Sequence, residues 1–186
     1  MGILKKDFKY KLVKNFLTPE EVKLGAYYLL LFHKRNLDSF DFNQNNNGDT
    51  MTYADTFTES VMMMKLNKME KETGLKLFPT YSFSRVYSYN AELVPHKDRP
   101  SCEVSVTVMW GSDGTKWPIY MEDTPFELEP GDAVIYLGCE LNHYRKPFTG
   151  DWHAQSFLHY VDQNGPFKDF RYDKRNYQQD PVIIHE

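Results

Sequence analysis

The first stretch of the chain alternates and then changes period. "DFKYKLV" places apolar and polar residues in turn, as a short strand would, and "NFLTPEEVKLGAYYLLLFHKRN" follows with helical spacing. Thr18, Pro19 and Glu21 form a capping box with proline at the first helical position, which predicts a helix from residue 19 to about 35. Its expected buried positions are Val22, Leu24, Tyr27, Tyr28, Leu30 and Leu31. "NLDSFDFNQNNNGDT" is polar and turn-rich and reads as a loop. Phe57, Val61, Met64, Leu66 and Met69 then recur at helical spacing, predicting a second helix over 54–73 with the methionines at 62 to 64 filling core gaps. From Leu77 the pattern shortens to β-branched and aromatic runs divided by turns: "TYSFSRVYSY", "CEVSVTVMW", "WPIYME", "TPFELEPGDAVIYLG" and "WHAQSFLHYV". Such spacing indicates a β-sandwich or barrel preceded by helices.

Composition narrows the class. The 186 residues suit one domain, and 41% hydrophobic with 16% aromatic content supplies a sizeable core. A net charge of −4 gives no electrostatic reason to bind nucleic acid or an anionic membrane. Two cysteines, Cys102 and Cys139, are too few for a disulfide framework or a cysteine-rich zinc site, and no apolar run has signal-peptide or transmembrane character. The expectation is a cytoplasmic protein, monomeric or a weak homodimer, with a protein, peptide or small-molecule substrate.

The chemistry begins in "LVPHKDRPSCEVSVTVMW". His96 and Asp98 stand two apart, and on extended backbone such side chains share a face. Imidazole and carboxylate together suit iron, manganese or zinc, and two histidines with one carboxylate make the facial triad of non-haem Fe(II) oxygenases. A second histidine, His143, follows in "EPGDAVIYLGCELNHYRKPFTGDW".

"NFLTPEE", "RVYSYNAELVPHKD", "EPGDAVIYL" and "HYRKPFTG", spread in order over residues 15 to 162, resemble the 2-oxoglutarate and Fe(II)-dependent oxygenases, particularly the prolyl 4-hydroxylase-like branch. The resemblance implies a double-stranded β-helix, or jelly roll: an α+β chain with a mainly β core. It implies one oxygenase domain over 1–186, with helical support in 1–76, the jelly roll in 77–162 and a C-terminal extension in 163–186. His96, Asp98 and His143 would bind Fe(II), leaving positions for 2-oxoglutarate and O2. The implied activity is hydroxylation of a prolyl residue or another protein or amino-acid substrate, coupled to decarboxylation of 2-oxoglutarate to succinate. Asp98 separates the chain from halogenating relatives, in which a small residue stands there.

The chain departs from that pattern where relatives place an Arg or Lys roughly ten residues after the second histidine to hold the distal carboxylate of 2-oxoglutarate. His153 occupies the position. Protonated His153 could itself hold the carboxylate; the substitutes are Arg145, ranked first because a guanidinium fork matches a carboxylate, its neighbour Lys146, and Arg85, with Arg85 and His153 ranked behind Arg145. Tyr87 matches a tyrosine of the cosubstrate pocket. Parity along the last strand groups His153, Gln155, Phe157 and His159 on the inner face and suggests a wet cavity. Arg99, Gln155, His159 and the Trp110, Trp117 pair are the candidates for substrate contact, and the loop at 36–53 and the tail from 167 are candidate lids. Two other readings are a non-catalytic jelly roll that binds a small acid or sugar, and a cupin-type metal enzyme.

Overall fold

The structure is a computed structural model that describes residues 8–36 and 48–176. Among the described residues ten antiparallel strands form two facing sheets. The major sheet has the order β1-β8-β5-β10-β3-β2 and the minor sheet β4-β9-β6-β7. The major sheet contains β1 (Tyr10–Val13), β2 (Thr50–Tyr53), β3 (Leu77–Tyr87), β5 (Val104–Ser112), β8 (Ala133–Tyr136) and β10 (His153–Asp162). The minor sheet contains β4 (Leu93–His96), β6 (Ile119–Met121), β7 (Thr124–Phe126) and β9 (His143–Arg145). Helices α1 (Pro19–Asn36), α2 (Thr56–Met64) and α3 (Leu66–Thr73) join the largest apolar cluster, together with the major-sheet residues Val106, Val108, Trp110, Ala154 and Leu158. A second cluster, including Met109, Ile119, Met121 and Val134, draws on both sheets.

Helix α1 starts as its capping box requires. Thr18 N–H donates to Glu21 Oε2 at 2.8 Å, and Glu21 N–H donates to Thr18 Oγ1 at 3.2 Å. Val22, Tyr28 and Leu30 pack against the core as expected, but the other half of the expected face does not. Leu24, Tyr27 and Leu31 are exposed at 61%, 60% and 57%, whereas Gly25, Leu29 and His33 face inward. Gly25 sets this rotation: a Cβ there would lie 2.1 Å from the Trp110 ring, so only glycine lets the helix sit against that indole. Trp110 is therefore a core residue bonded to Ser156 Oγ at 2.7 Å, not a substrate contact.

The helix expected over 54–73 is two helices. Lys65 at φ −87°, ψ 0° breaks the run, and its ammonium bonds both carboxylate oxygens of Glu21 at 2.7 Å. Met62 is buried in the core, but Met64 is exposed. The loop reading of residues 36 to 50 ends early, because Thr50–Tyr53 pairs with β3 as an edge strand. Residues 37–47 of that candidate lid, and the tail beyond 176, lie outside the described residues.

The antiparallel register stacks the inner face of the major sheet into rungs. Tyr136, Ser105 and His159 form one rung, extended by Tyr81, whose ring lies 4.6 Å from His159. The next holds Val134, Thr107, Phe157 and Phe83; a third holds Met109, Gln155 and Arg85; a fourth pairs His153 with Tyr87. Polar, apolar and cationic layers thus succeed one another along the space between the sheets.

Candidate metal centre and cosubstrate pocket

His96 and His143 are register partners on β4 and β9, with ring centroids 4.3 Å apart. Asp98 follows just beyond β4, held by its N–H to the Gly138 carbonyl at 2.8 Å. Its Oδ1 lies 3.5 Å from Nε2 of each histidine. Metal–N and metal–O bonds of about 2.0–2.2 Å at right angles set neighbouring donors about 3 Å apart, so a small closure completes a three-ligand face. The imidazoles are oriented alike. Nδ1–H of His96 donates to the Val94 carbonyl at 2.8 Å and Nδ1–H of His143 to the Leu141 carbonyl at 3.1 Å, leaving both Nε2 lone pairs aimed at the common point. Gly138 is required here, since a Cβ would stand 2.5 Å from Asp98 Oδ2.

Burial pushes the Asp98 carboxyl up, but in the metal-free protein His143 and His96, when protonated on both ring nitrogens, donate from Nε2 to it and hold it well below the usual carboxylate range. The same hydrogen bond raises His96, against its burial. An ionised carboxylate beside two imidazoles that give up their Nε2 protons to a metal is a donor set for a divalent transition metal.

A cavity of about 220 Å³ opens beside these ligands, lined by Tyr81, Phe83, Arg85, Tyr87, Leu93, Tyr136, Phe157 and His159 as well as the triad. Arg85 and Tyr87 therefore stand on the wall, as expected. Arg85 is already paired: its Nε donates to Asp49 Oδ2 at 2.6 Å and its guanidinium lies 4.3 Å over the Tyr87 ring. Arg145, His153 and Gln155 are not wall residues. They form a buried layer adjoining it, in which Arg145 Nη2 donates to Gln155 Oε1 at 3.1 Å, His153 Nε2–H donates to the same oxygen at 2.8 Å, and Gln155 Nε2 donates to Thr107 Oγ1. Gln155 is thus bonded to Arg145, His153 and Thr107 and does not line the cavity. Trp117 also turns inward, stacking on Arg145 at 4.5 Å and donating to the Lys146 carbonyl. Lys146 itself is exposed, over the Tyr120 ring.

Arg145 is 2% exposed and its fork meets the Trp117 carbonyl and Gln155, with no carboxylate beside it among the described residues. Its Nε–H and His153 Nδ1 have no protein partner. Burial lowers Arg145 to about 10, which leaves it charged at neutral pH. His153 differs: burial first, then the Arg145 charge, pushes it down to about 3. The buried cation thus lies two residues after His143, whereas His153, ten residues after it, is held neutral.

His159, on the cavity wall, donates or accepts through Nδ1 with Ser105 Oγ at 2.7 Å, and burial lowers it to about 4. Tyr81, Phe83 and Tyr136 were not singled out from the sequence. The parity that places Arg85 and Tyr87 inward also places Tyr81 and Phe83 there; Tyr136 lies in the "GDAVIYL" run with no local chemical signal. The wall role of His159 and Phe157 agrees with the parity expected for β10.

Two buried neutral histidines make acid stability a test of this interior. The unfolded chain protonates histidine near pH 6.5, while the folded chain holds His153 to about 3 and His159 to about 4. Below pH 6.5 the unfolded state binds more protons, so stability falls with falling pH by up to ~2.7 kcal/mol per unit between about pH 6 and 4. His96, raised, acts in the opposite sense only above its ordinary value. Urea titrations of metal-free protein at pH 7 and pH 5 should show this loss, and equal midpoints would contradict the buried neutral pair.

No family model matches the chain and no curated protein matches its sequence. Solved structures do match. A Pseudomonas putida prolyl-4-hydroxylase superposes with TM-score 0.62 at 17% identity, covering 84% of this chain and 94% of that one. A prolyl hydroxylase from Trichoplax adhaerens, in complex with a hypoxia inducible factor oxygen degradation domain peptide fragment, gives 0.63 at 13%, covering 90% and 88%. The non-heme alpha ketoglutarate dependent epimerase SnoN from nogalamycin biosynthesis gives 0.65 at 12%, covering 96% and 89%. The chain therefore has the jelly-roll, double-stranded β-helix fold that these oxygenases share.

Proposed function

We propose that the chain is a 2-oxoglutarate- and Fe(II)-dependent oxygenase that hydroxylates a prolyl residue or another protein or amino-acid substrate. The observation that carries this reading is a three-ligand face, His96, Asp98 and His143, on a cavity, with a buried arginine in the neighbouring layer that has no carboxylate beside it among the described residues. His96, Asp98 and His143 would hold the metal. Arg145, with the Tyr87 hydroxyl, would hold the distal carboxylate of 2-oxoglutarate, and Phe83 and Phe157 would flank its methylenes. The separation fits: two strand residues, from His143 to Arg145, span about 6.6–6.8 Å. Charge also fits. Arg85 and Asp49 neutralise each other, His153 is neutral, and Arg145 leaves one positive charge for one carboxylate. With metal, 2-oxoglutarate and O2 bound, the site would supply an oxidation that converts 2-oxoglutarate to succinate and CO2 and leaves one oxygen atom on the substrate.

The prolyl or peptide substrate is favoured by the prolyl hydroxylases among the similar structures, one of them in complex with a peptide. Cytoplasmic residence belongs to the same proposal; among the described residues no helix is long and apolar enough to cross a membrane. Iron-dependent formation of succinate from 2-oxoglutarate, followed with and without prolyl peptides, tests the activity.

The anchor has its own signature. If Arg145 holds the cosubstrate, 2-oxoglutarate affinity of the Mn(II)-loaded protein is flat from about pH 6 to 8.5, because arginine stays charged and His153 stays neutral. A roughly tenfold weakening per pH unit, abolished in His153→Gln, would move the anchor to His153.

A further inference from the structure

Beside the metal ligands a second recognition site is already filled by the chain itself. Arg99 directly follows Asp98, and its guanidinium makes a two-pronged pairing with Asp173: Nη1 to Oδ1 at 2.8 Å and Nη2 to Oδ2 at 2.7 Å. The Tyr53 hydroxyl donates to the same Oδ2. Aromatic rings floor the site. Arg99 lies 4.6 Å over Tyr81, Tyr81 lies 5.0 Å from Tyr53, and Tyr81 is also a wall of the cavity that holds the triad. Three donors converging on one carboxylate at that edge are the arrangement a protein uses to select an acidic ligand.

The occupant sits on unusual backbone. Tyr172, Asp173 and Lys174 have φ of 51°, 54° and 59°, three successive non-glycine residues in the left-handed region that L side chains rarely adopt. The segment keeps other attachments when Asp173 is set aside: Tyr172 is buried, and Arg175 donates to the Thr80 carbonyl at 2.9 Å and pairs with Glu59.

We propose that Arg99 and Tyr53 form a carboxylate-recognition site for an acidic side chain of a peptide, and that Asp173 fills this site in the resting chain. An acidic side chain carried on a peptide segment is what the site holds now, which favours a peptide ligand over a free small acid. The assignment of that peptide as substrate rests on the oxygenase reading; the carboxylate site itself does not.

The test uses full-length protein without added metal or 2-oxoglutarate, so its outcome is separate from that of the oxygenase proposal. Asp173→Gly removes the internal carboxylate and suits the left-handed backbone; Asp173→Asn, also tolerant of that conformation, serves if the first variant is disturbed. The probes are acetyl-Gly-Asp-Gly-amide and its Asn analogue, with acetate as the smallest carboxylate, and the readout is the Arg99 Nε–H resonance. The expected result is a saturable shift in Asp173→Gly, at least about tenfold stronger for the Asp than the Asn peptide, little response in wild type, and none in Arg99→Ala, Asp173→Gly protein, followed there by backbone amide shifts of Tyr53 and Tyr81. Acetate binding without Asp-peptide binding would overturn the peptide assignment. Equal response to Asp and Asn peptides, an equal response in wild type, or peptide binding that survives loss of Arg99 would overturn the site.

Discussion

Replacing Asp98 with alanine is expected to abolish Fe(II)-dependent succinate formation while leaving the chain folded. Asp98 Oδ1 is the atom to which both histidine Nε2 donors converge, at 3.5 Å each, so its loss removes the only anionic ligand of the face. Residues that merely orient metal ligands cost about 10–100-fold in affinity or activity when changed, and a ligand itself should cost more. The fold should survive because the apolar clusters contain none of the triad residues. His96→Ala and His143→Ala are expected to behave alike. Succinate assay, Mn(II) binding and thermal unfolding on the same preparations separate the two effects; wild-type turnover by Asp98→Ala would remove the triad assignment.

The second large effect concerns the cosubstrate. Arg145→Ala is expected to weaken 2-oxoglutarate binding about 10–100-fold, the equivalent of about 1.5–3 kcal/mol for a hydrogen bond to a charged group. Among the described residues Arg145 is a buried cation without a carboxylate beside it, whereas Arg85 is held by Asp49. The substitution also removes packing against Trp117, so binding must be compared at equal folded fraction, by calorimetry on the Mn(II)-loaded protein. Unchanged binding in Arg145→Ala, with weakened binding in Arg85→Ala, would transfer the role to Arg85.

What was legible in the sequence was written in local physics. Thr18 and Glu21 cap each other within one turn, so the start of α1 is visible without knowing what the helix packs on. His96 and Asp98 are two apart beside a strand, and the parity of β3 and β10 follows from a period of two. What was not legible depends on partners distant in sequence. The rotation of α1 is set by Trp110 against Gly25, across 85 positions, and no periodicity in the helix announces it because Leu24, Tyr27 and Leu31 are as apolar as the residues that are buried. The break at Lys65 goes with its ion pair to Glu21. Asp49, which neutralises Arg85, and Asp173, which fills the Arg99 fork, likewise come from remote segments. The proposed cosubstrate anchor was half visible: His153 in place of a basic residue raised the question, and the burial of Arg145 without a carboxylate beside it among the described residues favours the answer proposed above.

The central claim is that this jelly roll turns over 2-oxoglutarate at the His96, Asp98, His143 face. The most direct measurement is anaerobic loading of the purified chain with Fe(II) and 2-oxoglutarate, exposure to O2, and quantification of succinate against matched samples lacking iron and samples of Asp98→Ala. Succinate formed in the iron-loaded wild type, and reduced to background in both controls, is the expected result. Stoichiometric binding of Fe(II) and 2-oxoglutarate with no succinate above the Asp98→Ala background, across prolyl peptides and substrate-free samples, would contradict it and leave a metal- and acid-binding jelly roll in its place.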